Sequence, residues 1–298
     1  HMKRVLALTL VSFLSASCLA EQHPGAEEFA ARAAAEHELN AQEILELLKE
    51  ARFKKSIVEA ISRPAEAKPW FEYRPIFLTD KRIDGGVEFW RENEALVAQA
   101  SEQFGVDPQI IVAIIGVETR YGGNTGSHRV LDALSTLAFD YPPRSKFFRG
   151  ELEQYLILAR EENIDLLSTK GSYAGAMGYG QFIPSSYRNF AVDFDGDGVR
   201  DLWDSPMDII GSVANYMHVH GWDLGATVTT PATVSGDSYA GLLEQGYKPN
   251  TPVTERPQDL QGALARDDIR IEDQDLMLSV FDHLGQTHDG FTGALLGS

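Results

Sequence analysis

Two carboxylate patterns in the 298-residue sequence carry chemistry. The first is a single glutamate, Glu118, at the end of Ile110-Ile111-Val112-Ala113-Ile114-Ile115-Gly116-Val117, a run without one polar side chain. A carboxylate held against so apolar a segment would be partly desolvated, which raises its pKa and keeps it protonated near neutral pH as a general acid. Position alone leaves a second reading open, a solvated helix-end glutamate paired with Arg120. The other pattern is dense. Asp193-Phe194-Asp195-Gly196-Asp197-Gly198-Val199-Arg200-Asp201-Leu202-Trp203-Asp204 reproduces an EF-hand calcium loop at positions one, three, five and six. Val199 at position seven offers its carbonyl, and Asp201 at nine would act through water. Asp204 at twelve is one methylene shorter than the usual bidentate Glu, which weakens closure. The alternative is an Asp-Gly surface turn without metal, in which four acids this close would repel.

A third stretch, Lys170 to Tyr187, intersperses glycines with polar and aromatic residues. Glycines let backbone approach a ligand closely, and tight packing between helices is the other use of the same composition. Tyr and Phe rings stack on apolar sugar faces, while Ser172 and Gln181 can hydrogen-bond hydroxyl and acetamido groups.

These residues need helices to position them. From Glu43 to Ile61 the apolar positions fall at helical spacing until Arg63-Pro64, which predicts one helix. Phe89, Leu96, Ala100 and Phe104 predict another, bounded by Gly85-Gly86 and Gly105. Asp107-Pro108, an N-cap followed by Pro at the first helical position, opens the apolar run that ends at Glu118. Its β-branched content also suits a strand, but the cap and the length favour a buried helix. Leu131 to Ala138, Glu151 to Arg160 and Pro206 to His220 read as further helices. The first strand signal is Thr227-Val228-Thr229, so the fold class is mainly α with a small β element. Trp90 and Trp203 read as core, and His218 and His220 share no helix face suited to a metal. Asp132 and Asp140 could be imagined as a second catalytic carboxylate, but Asp132 reads as a helix-associated polar residue and Asp140 as a turn residue before Pro142-Pro143.

The bulk numbers narrow the classes. With 43% hydrophobic and 23% charged residues the chain can bury a core, and 26 Lys+Arg against 44 Asp+Glu give a net charge of -18, which excludes a duplex nucleic-acid binder. Lys3-Arg4 precedes an apolar run, Val5 to Leu14, too short for a stop-transfer helix. Residues 1–20 are therefore expected to be a signal peptide for export. The only cysteine, Cys18, follows this run in Leu14-Ser15-Ala16-Ser17-Cys18, an imperfect lipoprotein box. Lipid attachment there and cleavage after Ala20 are both open.

Three motifs together resemble the membrane-bound lytic transglycosylase B family: Gly116-Val117-Glu118-Thr119-Arg120-Tyr121-Gly122, then Gly171 to Tyr187, then Gly211-Ser212-Val213-Ala214-Asn215-Tyr216 with His220-Gly221-Trp222. Lys68-Pro69-Trp70-Phe71-Glu72-Tyr73-Arg74 and Thr136-Leu137-Ala138-Phe139-Asp140-Tyr141-Pro142 extend the resemblance, which runs from about Pro69 to Pro231. It implies a lysozyme-like α catalytic domain over 106–230 containing an EF-hand-like loop at 193–208. An N-terminal helical region would occupy 21–105. Glu118 would be the sole catalytic acid/base, with Tyr73, Ser172, Gln181 and Tyr216 lining a saccharide groove. The resemblance closes the metal loop at Asp208, giving Asp193, Asp195, Asp197, Val199 and Asp208 as ligands of a structural Ca²⁺, with Asp204 the alternative closing ligand and no organic cofactor.

The implied activity is non-hydrolytic cleavage of the MurNAc-(β1,4)-GlcNAc bond of peptidoglycan strands in the periplasm, with 1,6-anhydroMurNAc ends. A water-using muramidase and a weakly active peptidoglycan-binding protein are the competing readings. The expected partners are glycan strands and, through a lipid on Cys18, the outer membrane. One departure stands out. The family's C-terminal Asn-Phe, Tyr-Asn and Tyr-Ala stretch has no counterpart, so 231–298 reads as an atypical or truncated C-terminal region.

Overall fold

Helices carry nearly all of the structure, a computed structural model that describes residues 23–63, 70–226, 233–234 and 260–261. In chain order they are α1 (Ala26–His37), α2 (Ala41–Glu50), α3 (Lys55–Ile61), α4 (Trp70–Tyr73), α5 (Asp80–Glu92), α6 (Glu94–Phe104), α7 (Pro108–Thr119), α8 (Val130–Asp140), α9 (Ser145–Glu161), α10 (Pro184–Phe190) and α11 (Pro206–Val219). Two antiparallel pairs of two-residue strands accompany them: β1 (His128–Arg129) with β2 (Lys170–Gly171), and β3 (Thr233–Val234) with β4 (Leu260–Gln261). The expected strand at Thr227 to Thr229 and the tail beyond Gly246, apart from β4, lie outside the described residues, as does the leader with Cys18. None of the described helices is long and apolar enough to cross a membrane.

The chain forms two compact units. The first comprises His1–Pro64, Asn124–Ala191 and Gly196–Leu202. Its centre is the pair α8 and α9, where Leu131, Leu134 and Leu137 on one helix and Phe148, Leu152 and Tyr155 on the other recur every three or four residues and are fully buried. The second comprises Ala65–Gly123, Val192–Asp195 and Trp203–Ser298, with α5, α6, α7 and α11 as its main helices. Nine of the twelve residues of helix α7 are buried, as a helix with so long an apolar run must be. Its β-branched run is helical, not extended.

Two helices expected as continuous are broken. The pattern from Glu43 to Ile61 divides into α2 and α3 because residues on α8 take the backbone donors between them: Arg52 N–H donates to Asp132 Oδ1 at 2.8 Å and Lys54 N–H to Thr136 Oγ1 at 3.0 Å. The pattern from Phe89 to Phe104 breaks at Asn93, whose side-chain amide donates to the Phe89 carbonyl at 2.8 Å. Gly85-Gly86 does not stop α5 but lies inside it, and a Cβ on Gly85 would stand 3.2 Å from the Tyr121 ring. Asp107 occupies the N-cap of α7 without a side-chain cap bond. Its carboxylate instead accepts from the Trp222 indole at 2.9 Å and Gly225 N–H at 3.1 Å.

Candidate active site

Glu118 is the penultimate residue of α7 and is half-buried. The chain leaves this helix through an unusual pair, Arg120 at φ 54° and Tyr121 at φ 57°, both left-handed and neither glycine. Consecutive residues of this kind store strain and persist only where their surroundings over-determine them. Here the surroundings do so. Arg120 N–H bonds to Gly116 O at 3.1 Å and Tyr121 N–H to Ile115 O at 3.3 Å, closing the helix end. Buried Thr119 locks the turn, its hydroxyl donating to Ile115 O at 3.2 Å and accepting from Gly122 N–H at 3.1 Å.

Tyr121 then folds back onto the helix. A Cβ on Gly116 would lie 2.3 Å from its phenol oxygen, so Gly116 is glycine for close approach. The Tyr121 ring stacks on Phe89 at 5.5 Å, and burial pushes its phenol well above the ordinary tyrosine range. Among the described residues its buried hydroxyl has no hydrogen-bond partner. The one glycine within the apolar run was the sequence signal for this packing, and its meaning needed the return of Tyr121.

Two other expected groove residues belong to the same unit. Tyr73 ends α4 with its ring 4.9 Å from Phe77 at 63°, and Tyr216 in the last turn of α11 stacks on His220 at 4.1 Å. His220 also approaches the Tyr216 carbonyl through Nδ1 at 2.7 Å.

The first unit carries Ser172 and Gln181. Ser172 Oγ accepts Ala174 N–H at 3.2 Å and Ala176 N–H at 3.1 Å, which leaves its hydroxyl proton to donate. Gln181, at φ 48°, uses its amide protons on Thr125 O at 3.2 Å and Gly178 O at 2.9 Å, so its carbonyl oxygen is the group it offers. Gly171, Gly175 and Gly178 serve packing. A Cβ on Gly171 would stand 2.2 Å from Ala176 O, on Gly175 2.5 Å from Leu134, and on Gly178 2.6 Å from Leu202.

In the acidic loop, Asp193, Asp195 and Asp197 bring carboxylate oxygens within 4.8 Å of one another. Gly196 at φ 79° and Gly198 at φ 94° shape the turn. Val199 N–H caps Asp197 Oδ1 at 2.8 Å. Asp208, in the first turn of α11, is fully buried, and its Oδ1 accepts Phe194 N–H at 2.7 Å and Asp195 N–H at 3.4 Å. Ser205 caps α11 and donates its hydroxyl to Asp195 Oδ2 at 2.9 Å. The Phe194 ring sits where a Cβ on Gly211 would come within 2.7 Å, which pins the loop to α11. Asp204 is exposed. Three carboxylates around one point are a hard-cation donor set, suited to an oxygen-preferring ion such as Ca²⁺.

The family described as "Transglycosylase SLT domain" matches residues 21–284. The chain belongs to this family. It is 43% identical over 243 residues to membrane-bound lytic murein transglycosylase B of Escherichia coli strain K12, covering 78% of this chain and 66% of that protein. Soluble lytic transglycosylase SltB1 from Pseudomonas aeruginosa superposes with a TM-score of 0.80 at 40% identity, over 88% of this chain and 100% of the other. The Escherichia coli lytic transglycosylase Slt35, solved in complex with calcium, has a TM-score of 0.70 at 37% identity, over 88% of this chain and 91% of the other. The mainly α fold is thus the lysozyme-like fold of these transglycosylases, and the family match extends beyond the Pro69-to-Pro231 motifs in both directions.

Of the two acids that a second catalytic carboxylate would have to come from, Asp132 has structural partners in this SLT-domain protein. Asp132 Oδ1 accepts Arg52 N–H and, at 3.0 Å, Arg129 Nε. Asp140 ends α8, not in the expected turn, and faces buried His23 at 3.8 Å; burial raises its carboxyl above the usual range.

Proposed function

We propose that this chain is a lytic murein transglycosylase that cleaves the MurNAc-(β1,4)-GlcNAc bond with Glu118 as its single acid/base. The observation that carries this is the position of Glu118 after the apolar run Ile110 to Val117, at a strained, doubly left-handed helix end, inside the family's own motif. The chain spans 66% of the length of the Escherichia coli relative, so its activity is inferred from the part they share.

A glycosidase using two carboxylates needs both near the bond. Asp132 is spent on Arg52 and Arg129, which supports a mechanism with one. Glu118 donates its proton to the glycosidic oxygen as the C1–O bond breaks and the muramic 2-acetamido oxygen bonds to C1, giving an oxazolinium. The sugar's own C6 hydroxyl then attacks C1, the acetamido oxygen leaves, and the Glu118 carboxylate takes the hydroxyl proton. The acid is regenerated, a 1,6-anhydro end forms, and no water is consumed. Tyr73 and Tyr216 supply ring faces, Ser172 a donor and Gln181 an acceptor for the glycan. Close placement of the internal hydroxyl gives it an effective molarity that bulk water cannot match.

Asp193, Asp195, Asp197, the Val199 carbonyl and Asp208 would hold a structural Ca²⁺, with Asp204 as the alternative closing ligand; the converging carboxylates and the calcium complex of Slt35 support this. The enzyme acts on periplasmic peptidoglycan, with Cys18 the candidate point of lipid attachment to the outer membrane. The test is digestion of sacculi in ¹⁸O-labelled water. Unlabelled muramic ends, lighter than hydrolytic ends by one water (about 18 mass units), are expected, whereas predominantly labelled reducing ends would identify a muramidase, and bound but uncut glycan a binding protein.

A further inference from the structure

Arg82 is an oddity of the second unit. It lies on α5 with 7% of its surface exposed, although a guanidinium stays charged and is costly to bury. Among the described residues no carboxylate forms an ion pair with it. Its charge is directed elsewhere: Nη1 donates to the carbonyls of Gly116 and Val117, each at 3.3 Å. These carbonyls belong to the last turn of α7, where the helix dipole favours a cation. The Val117 carbonyl carbon is bonded to the backbone nitrogen of Glu118, so this hydrogen bond grips the peptide plane from which Glu118 projects.

The other side of Arg82 meets an aromatic ring. Its guanidinium carbon lies 4.8 Å from the centroid of Phe77, and Phe77 meets Tyr73 edge-on at 4.9 Å. An unbroken line of contact therefore runs from Tyr73 through Phe77 and Arg82 to the peptide of Glu118. A side chain kept only for packing would do the same work as Leu or Met without the cost of a buried charge.

We propose that Arg82 is a positioning residue for the reaction: it fixes the Glu118 peptide and keeps it in register with the Tyr73 ring. The inference rests on the reading of Glu118 as the acid/base. Misplacement of a reacting group by about 1 Å costs on the order of 10²-fold in rate, so removing the clamp should act on kcat.

The test measures kcat and KM for release of anhydro-ended product from soluble glycan strands, with melting temperature alongside, for Arg82→Ala and Arg82→Lys. For Arg82→Ala, kcat per folded molecule should fall about 10- to 100-fold, with KM within about twofold. Guanidinium at non-denaturing concentration should restore part of the loss, entering by the cavity that Thr79, Glu88, Arg120 and Tyr121 line beside Arg82. Arg82→Lys should be intermediate, since an ammonium supplies a point charge but no planar face for Phe77. Should Arg82→Ala fail to fold, Arg82→Lys decides: lowered kcat at unchanged KM supports the proposal, and parental kcat overturns it. Parental kcat in the alanine variant, a loss confined to KM, or a loss that follows melting temperature and ignores guanidinium would each overturn it too. Glu118→Gln in the same assay separates the two readings. If that variant turns over, the assignment of Glu118 fails; if it is dead while the Arg82 variants are fully active, only the positioning role fails.

Discussion

The end of α7 and the loop from Asp193 to Asp208 both present carboxylates, and they hold them by opposite means. At the helix end one acid is set by backbone geometry: Gly116 admits Tyr121, Thr119 locks the turn, and two left-handed residues carry the chain away. In the loop three acids converge by sequence spacing, on glycine turns with open space around Gly196 and Gly198. The helix end is held by contacts of its own, as general acid catalysis by Glu118 would require. The loop collects charge that a divalent cation would neutralise. On the proposed reading, the difference teaches that an acid for proton transfer is built by fixing one half-buried carboxylate, and a cation site by crowding several.

The comparison is most exposed at Glu118 itself. Glu118→Gln is nearly isosteric and should keep the melting temperature while turnover falls by about 10²- to 10⁴-fold or more, because the amide delivers no proton. Release of soluble muropeptides within a few-fold of the parent would remove α7 from the argument.

The loop should answer to metal in stability instead. Added calcium should raise the melting temperature and chelation lower it, the stabilisation amounting to about 2.7 kcal/mol between no ion and 100 times Kd. Asp193→Ala combined with Asp197→Ala should abolish that response and leave kcat per folded molecule near the parent's. A melting curve indifferent to calcium and chelator alike rules the loop out as a cation site.

Smaller changes sharpen the helix side. Gly116→Ala drives a methyl to 2.3 Å from the Tyr121 oxygen, overpacking that typically costs about 1–3 kcal/mol. It should lower both melting temperature and turnover, whereas Gly196→Ala, with nothing within 4 Å of its Cβ, should lose stability only through its positive φ. Equal effects on turnover would mean that the helix end is no more constrained than the loop. The smallest effect is expected of Tyr121→Phe, which removes a buried hydroxyl without a partner among the described residues and should be neutral or slightly stabilising. A clear loss of stability would show that the hydroxyl is satisfied.

What the sequence determined by itself was everything that consecutive residues encode. The apolar run ending in Glu118, the spacing of Asp193, Asp195 and Asp197, the Pro108 and Pro206 starts of α7 and α11, and the Gly105 stop of α6 are local, because periodicity, caps and left-handed glycines act within a few residues. Tertiary structure decided what those residues do for one another. The break between α2 and α3 belongs to Asp132 and Thr136, some eighty residues away in sequence, and the close approach at Gly85 belongs to Tyr121. Asp107 reads as a cap and is used by Trp222. Gln181 reads as a generic hydrogen-bonding amide and is turned into an acceptor by Thr125 and Gly178. Arg82 gives no sign in the sequence, since an arginine on an amphipathic helix looks the same whether it meets water or the last carbonyls of another helix. A hydrogen bond is specified by two partners, and the chain order names only one of them at a time.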